Sequence, residues 1–514
     1  MTPVVEVSPA PELAAATGAP GGAGRRGALR RDALIYAAGT IMRRAATLIM
    51  LPLYTRLLTP SDYGLLQMLG MTVDVAAILV SAGMTAGVMR FYFKAQTTKE
   101  RHEVVATATA LVLLLNIAGG LLMVAAAAPI HQHLLGGAGA RYLIFIAAAN
   151  FALDEMLTMP MLLMQIQGRA MLYSSTSLVR LVAQLALNIL FLVVLRLGPL
   201  GILLSTLITN VVIGGGAMVW LVRQVGVRTN WSAFRDLRRF GVPYQIATAA
   251  TFVLQFGDRF FLESYRGLAV VGLYGFAYQF GFMLDQLGTA PFMRAWQPQR
   301  FADAHLPREQ RERADNQTFQ GLTLSVVTLG LTMSLFARPA LRIIASSDYF
   351  PAAGLVPLIV IAFIFQAWGG VVQFGIDAAE QTRYTSYIVW TSAAVILGLY
   401  ALLVPPFGAY GAAAATIVSF GLRLVLLAHF AGRLWPQSYA WGAQLRIFGI
   451  AVVAAIACWL VPPAGLMIDG AVATLFFALY AVAVWHLALS RPLRARVLAR
   501  ITGLLGRVRR VVPA

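Results

Sequence analysis

The sequence is defined first by what it has little of. It has one cysteine, Cys458, in an apolar run, so neither a disulfide framework nor a cysteine metal site can form within the chain. It has two lysines, Lys94 and Lys99, against 38 arginines. Neither lysine completes a GxxxxGK[ST] phosphate loop, which excludes a nucleotide-driven engine of that type. Charged residues are 12% of the chain, where soluble domains average roughly 25%. The first 24 residues, rich in Ala, Pro and Gly, lack the charge, apolar core and cleavage-site order of a signal peptide. They are expected to be disordered, and the first apolar segment is expected to stay as a signal anchor. His131 and His133 share a loop, a poor metal set on their own.

What is abundant is apolar. Of 514 residues, 59% are hydrophobic, and mean hydropathy is +0.74. This is the composition of a polytopic membrane protein, all α-helical because a spanning backbone must satisfy its own polar groups. A span takes roughly 20 apolar residues. Fourteen candidates follow: 33–57, 65–89, 104–128, 142–164, 172–196, 200–222, 243–263, 268–294, 317–337, 353–377, 384–404, 409–431, 444–462 and 467–489. The first cannot be split at Arg43-Arg44 without leaving two pieces too short to cross. That puts both arginines about 15 Å along one helix, near mid-membrane.

Net charge is +19, and its distribution sets the orientation. With both termini in the cytoplasm, 29 Lys and Arg fall in inner segments. Six fall in outer ones: Arg56, Arg141, Arg196, Arg266, Arg338 and Arg342. Five lie within spans: Arg43, Arg44, Arg180, Arg259 and Arg423. The asymmetry accounts for the basic charge without nucleic acid. The runs FRDLRRF (234–240) and RPLRARVLARITGLLGRVRR (491–510) read as amphipathic segments on an anionic inner leaflet.

The sequence also repeats. YTRLLTPSDYGLL (54–66) and GDRFFLESYRGLAVVGLYGF (257–276) each place an arginine before a turn leading to Tyr-Gly, at Tyr63-Gly64 and Tyr274-Gly275. LYSST (172–176) matches RYTSY (383–387), and LGPLG (197–201) matches FGAYG (407–411), at nearly the same offset. Two parallel six-helix lobes follow, an arrangement some transporters use. The expected domains are a disordered N-terminus (1–29), lobes at 30–222 and 223–431, two extra spans (432–490) and a basic cytoplasmic tail (491–514).

FGVPYQIATAATFVLQFGDRFFLESYRGLAVVGLYGFAYQFG (240–281) resembles the middle signature of bacterial polysaccharide flippases. These are the Wzx-like oligosaccharide–lipid translocases of the MOP superfamily, which also holds MATE exporters and the lipid II flippase. RRDALIYAAGTIMRRAATLIMLPLYTRLLTPSDYGLLQML (30–69) is similar to the first hairpin of that family, and FPAAGLVPLIVIAFIFQAWGG (350–370) and PPFGAYGAAAATIVS (405–419) to later segments. The resemblance implies a V-shaped helical transporter of the bacterial inner membrane, not an enzyme. Such a protein moves undecaprenyl-pyrophosphate-linked glycans to the outer leaflet by alternating access, alongside polymerase or other assembly proteins. No cofactor is expected, and coupling to Na⁺ or H⁺ is left open.

A pyrophosphate crossing a membrane needs fixed cations, and arginine binds phosphate bidentately. Arg43 and Arg44 fit that role, or pair with Asp74 of the second span. Arg180 lies at the same depth as Asp154-Glu155 on the preceding span. That favours an ion pair, with a substrate or proton role as the alternative. Asp258-Arg259 sits nearer the outer face, and its repeat counterpart is Arg56. It reads as an outer gate or as a tie between spans 7 and 8. Asp285 is a further cavity candidate. Where the first span has its paired arginines, the seventh has Ala249, Ala250 and Thr251. Other readings compete: a lipid II flippase, a MATE-like exporter, whose cation site should be acidic and aromatic, and a membrane enzyme, which should carry a sizeable loop outside the membrane.

Overall fold

The structure is a computed structural model that describes residues 50–80, 83–137 and 139–488. Arg43, Arg44, most of the first predicted span and the basic tail lie outside them. Among the described residues there is no strand. In chain order the main helices are α1 (Pro60–Val80), α2 (Met84–Lys94), α3 (Thr98–Ala125), α4 (Tyr142–Ile166), α5 (Ala170–Ile189), α6 (Pro199–Thr209), α7 (Gly215–Val225), α8 (Trp231–Phe256) and α9 (Asp258–Arg266). There follow α10 (Leu268–Leu284), α11 (Ala290–Ala302), α12 (Arg308–Leu335), α13 (Ala337–Ile344), α14 (Val356–Ala378), α15 (Thr382–Leu434), α16 (Trp441–Leu460) and α17 (Leu466–Ala483).

Local chemistry sets several boundaries. Before α1, the Thr59 amide and hydroxyl donate to Asp62 Oδ2 at 3.1 and 2.8 Å, and the Asp62 amide donates back to Thr59 Oγ1 at 3.1 Å. This is a capping box with Pro60 at the first helical position. Thr97 and Glu100 form the same box before α3, with the Glu100 amide 3.2 Å from Thr97 Oγ1. Residues 382–434 read as one 53-residue helix broken at Gly408, whose φ of 56° only glycine adopts cheaply.

Eleven helices among the described residues are long and apolar enough to cross a membrane, where fourteen were expected. Three differences account for this. The first span is mostly outside the described residues. The seventh falls mainly on α8, which is 26 residues long but too polar to be counted and ends just before Gly257. The eleventh and twelfth run together through the Gly408 kink.

The chain forms two compact units that do not follow sequence order. Of the described residues, the first holds 50–53, 83–122 and 148–241, and the second holds 54–80, 123–137, 139–147 and 242–488. The core of the first joins α2, α3, α4, α7 and α8 through Val88, Val105, Val112, Met159, Leu163, Leu221 and Leu237. In the second, α1 and α10 cross so closely that a Cβ on Gly64 would overlap the Leu268 carbonyl, and one on Gly272 the Pro60 carbonyl. The contact is reciprocal. It pairs Gly64 with Gly272, about one turn from the register that aligns Tyr63-Gly64 with Tyr274-Gly275.

Most of the arginines expected outside have specific work in the second unit. Arg56 donates to the Ile343 carbonyl at 2.6 Å, and Thr55 Oγ1 to that of Ile344 at 3.0 Å, capping the last turn of α13. Arg266 donates to the Pro405 and Pro406 carbonyls at 2.7 and 2.9 Å, which the Gly408 kink deprives of helical partners. Arg338 donates to the Val461 and Trp459 carbonyls at 2.8 and 3.2 Å, at the end of α16. Arg342 pairs with Asp469 at 3.2 Å. Cations at helix C-termini satisfy orphaned carbonyls and complement the dipole.

Candidate functional site

A polar stripe runs along α5 in the first unit. Arg180, Gln184 and Asn188 recur every fourth residue and so share one helix face. Gln184 Nε2 donates to Ser205 Oγ at 2.8 Å and Thr206 Oγ1 at 3.3 Å, both on α6, and Ser205 also donates to Asn188 Oδ1. Nearby on α4, Asn150 Nδ2 donates to the Leu203 carbonyl at 3.0 Å. The amide oxygens of Asn150 and of Asn210, which begins a π-helical turn after α6, are buried and accept nothing. Arg180 itself is half-buried about 15 Å along α5 and makes no ion pair or hydrogen bond with any described residue. The amides and hydroxyls suit hydroxyl-rich ligands, and the guanidinium suits an oxyanion.

The ion pair expected between Arg180 and Asp154-Glu155 does not form. Depth along two helices was matched, but depth does not fix the side of the helix. Asp154 is exposed, and Glu155, about 100° around α4, is buried. The sequence reading also passed over Gln184, Asn188 and Ser205, although polar residues every fourth position in an apolar span were a visible signal.

In the second unit Asp258 and Arg259 pair at 2.7 Å, with side chains 0% and 1% exposed. The Arg259 guanidinium also donates to the Gln255 carbonyl at 2.9 Å and lies over the rings of Tyr278, Phe256 and Tyr274, at 4.2, 5.2 and 5.4 Å. This geometry holds α9 to α10, with no exposed surface to offer a solute. Arg56, its repeat counterpart, is exposed and caps α13 instead. Asp74 is exposed on α1, and Asp285 is half-buried at the start of a π-helical turn after α10. Arg43 and Arg44 lie outside the described residues.

A further charged cluster escaped the sequence reading, which counted Arg300 only among the cations of the inner segments. Arg300 is buried. It pairs with Asp315 at 3.3 Å, donates to the Val371 carbonyl at 2.7 Å and to the Tyr439 hydroxyl at 3.1 Å, and stacks over Phe374 at 3.9 Å. Gln437 donates to the same Asp315 oxygen, and Asn316 brackets the turn through Ser438 and Ala440. The cluster ties the segment leading into α16 to α11, α12 and α14. Burial pushes the Tyr439 phenol up, with Arg300 pulling the other way.

Residues 29–303, more than half of the chain, match the family described as polysaccharide biosynthesis protein. No curated protein matches the sequence. Among solved structures, the fold is similar to that of the lipid II flippase MurJ in an inward closed conformation. The TM-score is 0.69 at 10% identity, covering 88% of this chain and 99% of that one. It is also similar to an inward-facing multidrug resistance MATE family transporter of the MOP superfamily (TM-score 0.58, 13% identity, 76% and 93% covered). A MOP superfamily transporter from Pyrococcus furiosus matches as well (TM-score 0.52, 13% identity, 79% and 95% covered). At such identities these likenesses establish the fold, a multi-pass membrane transporter fold, and the sequence match establishes the family. The chain therefore belongs to the polysaccharide biosynthesis protein family and has the fold of the multi-pass membrane transporters it matches.

Proposed function

We propose that this protein carries a polyprenyl-pyrophosphate-linked oligosaccharide from the inner to the outer leaflet of the bacterial inner membrane by alternating access. The glycan is destined for surface polysaccharide, and a polysaccharide polymerase is the expected downstream partner. The observation that carries the reading is Arg180, an intramembrane arginine that pairs with no acid among the described residues, on one stripe with amide and hydroxyl groups. An ionisable side chain inside a membrane is costly and marks a functional site by default. A cation there, unpaired among the described residues, suits an anionic head group better than the organic cations of a multidrug exporter. Family membership supports the glycan, and the likeness to a lipid II flippase supports a lipid-linked cargo. Arg43 and Arg44 belong to the same reading as additional phosphate ligands.

Both termini are assigned to the cytoplasm from charge alone. On that side, Trp231 and Phe234 stack with ring centroids 4.6 Å apart at the start of α8, among Arg228, Arg235, Arg238 and Arg239. An aromatic pair within a basic segment suits an anionic phospholipid surface.

The test is Arg180→Gln, with Arg180→Lys beside it, scored for surface polysaccharide in cells and for lipid-linked glycan translocation in vesicles. Loss of translocation in protein that inserts and folds normally supports the reading. Wild-type translocation by Arg180→Gln would remove its basis. Drug efflux without glycan transport would favour the exporter.

A further inference from the structure

Glu155 is a carboxyl group in the middle of α4, 5% exposed, with no hydrogen bond or ion pair to any described residue. It stands on the stripe Phe151, Glu155, Met159 and Leu162. Across from it α3 presents Val105, Ala108, Val112 and Asn116 at the same helical spacing. Met159 and Leu162 share one core cluster with Val105, Ala108 and Val112, so the two stripes face each other. One turn on, Asn116 Nδ2 donates to the Phe151 carbonyl at 3.4 Å, the carbonyl to which the amide of Glu155 itself is hydrogen-bonded in the helix. Asn116 Oδ1 is buried and has no donor.

An ionised carboxylate in that place has lost most of its water and gained no cation among the described residues, a costly arrangement. The surrounding charges do not relieve it. Asp154 next to it is a like charge, and Arg180 on α5 makes no pair with it. Arg90 on α2 lies over the Phe240 ring at 5.1 Å. Beyond Glu103, α3 has no titratable side chain, and the helices at 199–225 have only Arg223, near their end. Arg43 and Arg44 lie outside the described residues. A metal cation would ask for a full shell of oxygens, as hard cations do, whereas the facing stripes offer one carboxyl and one amide oxygen. A proton needs only these two. It neutralises Glu155 and turns it into a donor, on facing stripes where Asn116 Oδ1 has none.

We propose that Glu155 is a proton-binding site of this transporter: it holds a proton in the conformation seen here and donates it as a hydrogen bond to Asn116 Oδ1. The proton is taken up from water on one side of the membrane. It is released to water on the other when rearrangement of α3 against α4 rehydrates the carboxyl. Only the O–H bond forms and breaks. Protonation is independent of the solute carried; the coupling role alone rests on the chain being a transporter.

The test uses the full-length protein in lipid vesicles. Dicyclohexylcarbodiimide reacts with protonated carboxyls in apolar surroundings, and mass spectrometry locates the adduct. The expected result is modification of Glu155 at neutral pH that declines as pH rises, with a midpoint above the ordinary glutamate value of about 4.3. Glu155→Gln should lose the adduct, and Asn116→Leu should lower the midpoint. Infrared spectra of wild type and Glu155→Gln report the protonated carboxyl without relying on reagent access. Absence of both signals at neutral pH in folded protein overturns the proposal. Transport by Glu155→Gln should no longer respond to an imposed pH gradient; a wild-type response overturns the coupling role. Failure of the glycan reading would look different: a protein that protonates as described but moves no lipid-linked glycan.

Discussion

The guanidinium of Arg300 lies 3.3 Å from the carboxylate of Asp315, their side chains 1% and 6% exposed, and the pair holds the segment before α16 to the second unit. Removing one partner from a buried pair leaves the other charge stranded, at a cost of about 3–5 kcal/mol. Asp315→Ala should therefore lower the thermal unfolding temperature of the purified protein markedly. An apolar replacement of both residues, Arg300→Met with Asp315→Leu, should recover much of the loss. Equal destabilisation by the single and double variants would mean the pair is not what holds this segment.

The same cluster predicts a pH effect. Burial raises the Tyr439 phenol above its ordinary value of about 10. A raised folded value means that the stabilisation is fully present below that ordinary value and is lost as pH rises through the folded one. Wild-type protein should lose stability on the alkaline side of about pH 10, and Tyr439→Phe should lose less over the same interval. The measurement is the unfolding temperature of both proteins across that range.

Gly272 offers a sharper steric test. A methyl group there would strike the Pro60 backbone carbonyl, which no rotamer change relieves. Gly272→Ala should separate α1 from α10 and cost about 1–3 kcal/mol. Gly70, on α1 with open space around it, is the control, and Gly70→Ala should stay within about 0.5 kcal/mol of wild type. Indistinguishable unfolding of the two variants would mean the crossing is looser than described.

Arg56 gives a test of the contact at the end of α13. Its hydrogen bond to Ile343 is exposed, and the neighbouring Ser346 amide donates to the Thr55 carbonyl at 3.3 Å. Arg56→Ala should cost only about 0.5–1.5 kcal/mol, yet amide exchange in a peptide covering 341–349 should quicken. Unchanged exchange there would show that Arg56 does not hold this contact closed.

Much of the protein was legible in one dimension. Hydrocarbon permits only self-satisfied backbone, so apolar run length gave helices such as α3, α4 and α16 without knowledge of their neighbours. Capping boxes at Thr59 and Thr97 and the kink at Gly408 are likewise local. The partnering of charges was not legible. Arg300 read as a loop cation, and Arg180 seemed paired with Asp154-Glu155, because sequence gives depth along a helix but not which face meets which neighbour. Arg56, Arg266 and Arg338 looked like exceptions to an inside bias. Their purpose appeared only when carbonyls distant in the chain were brought beside them. The sequence by itself determined the class, the family and the presence of mid-membrane charge, since these follow from composition, length and pattern. Only the tertiary structure decided which charges are spent on holding helices together and which, like Arg180 and Glu155, have no partner among the described residues, because pairing depends on rotations and crossings between helices far apart in the chain.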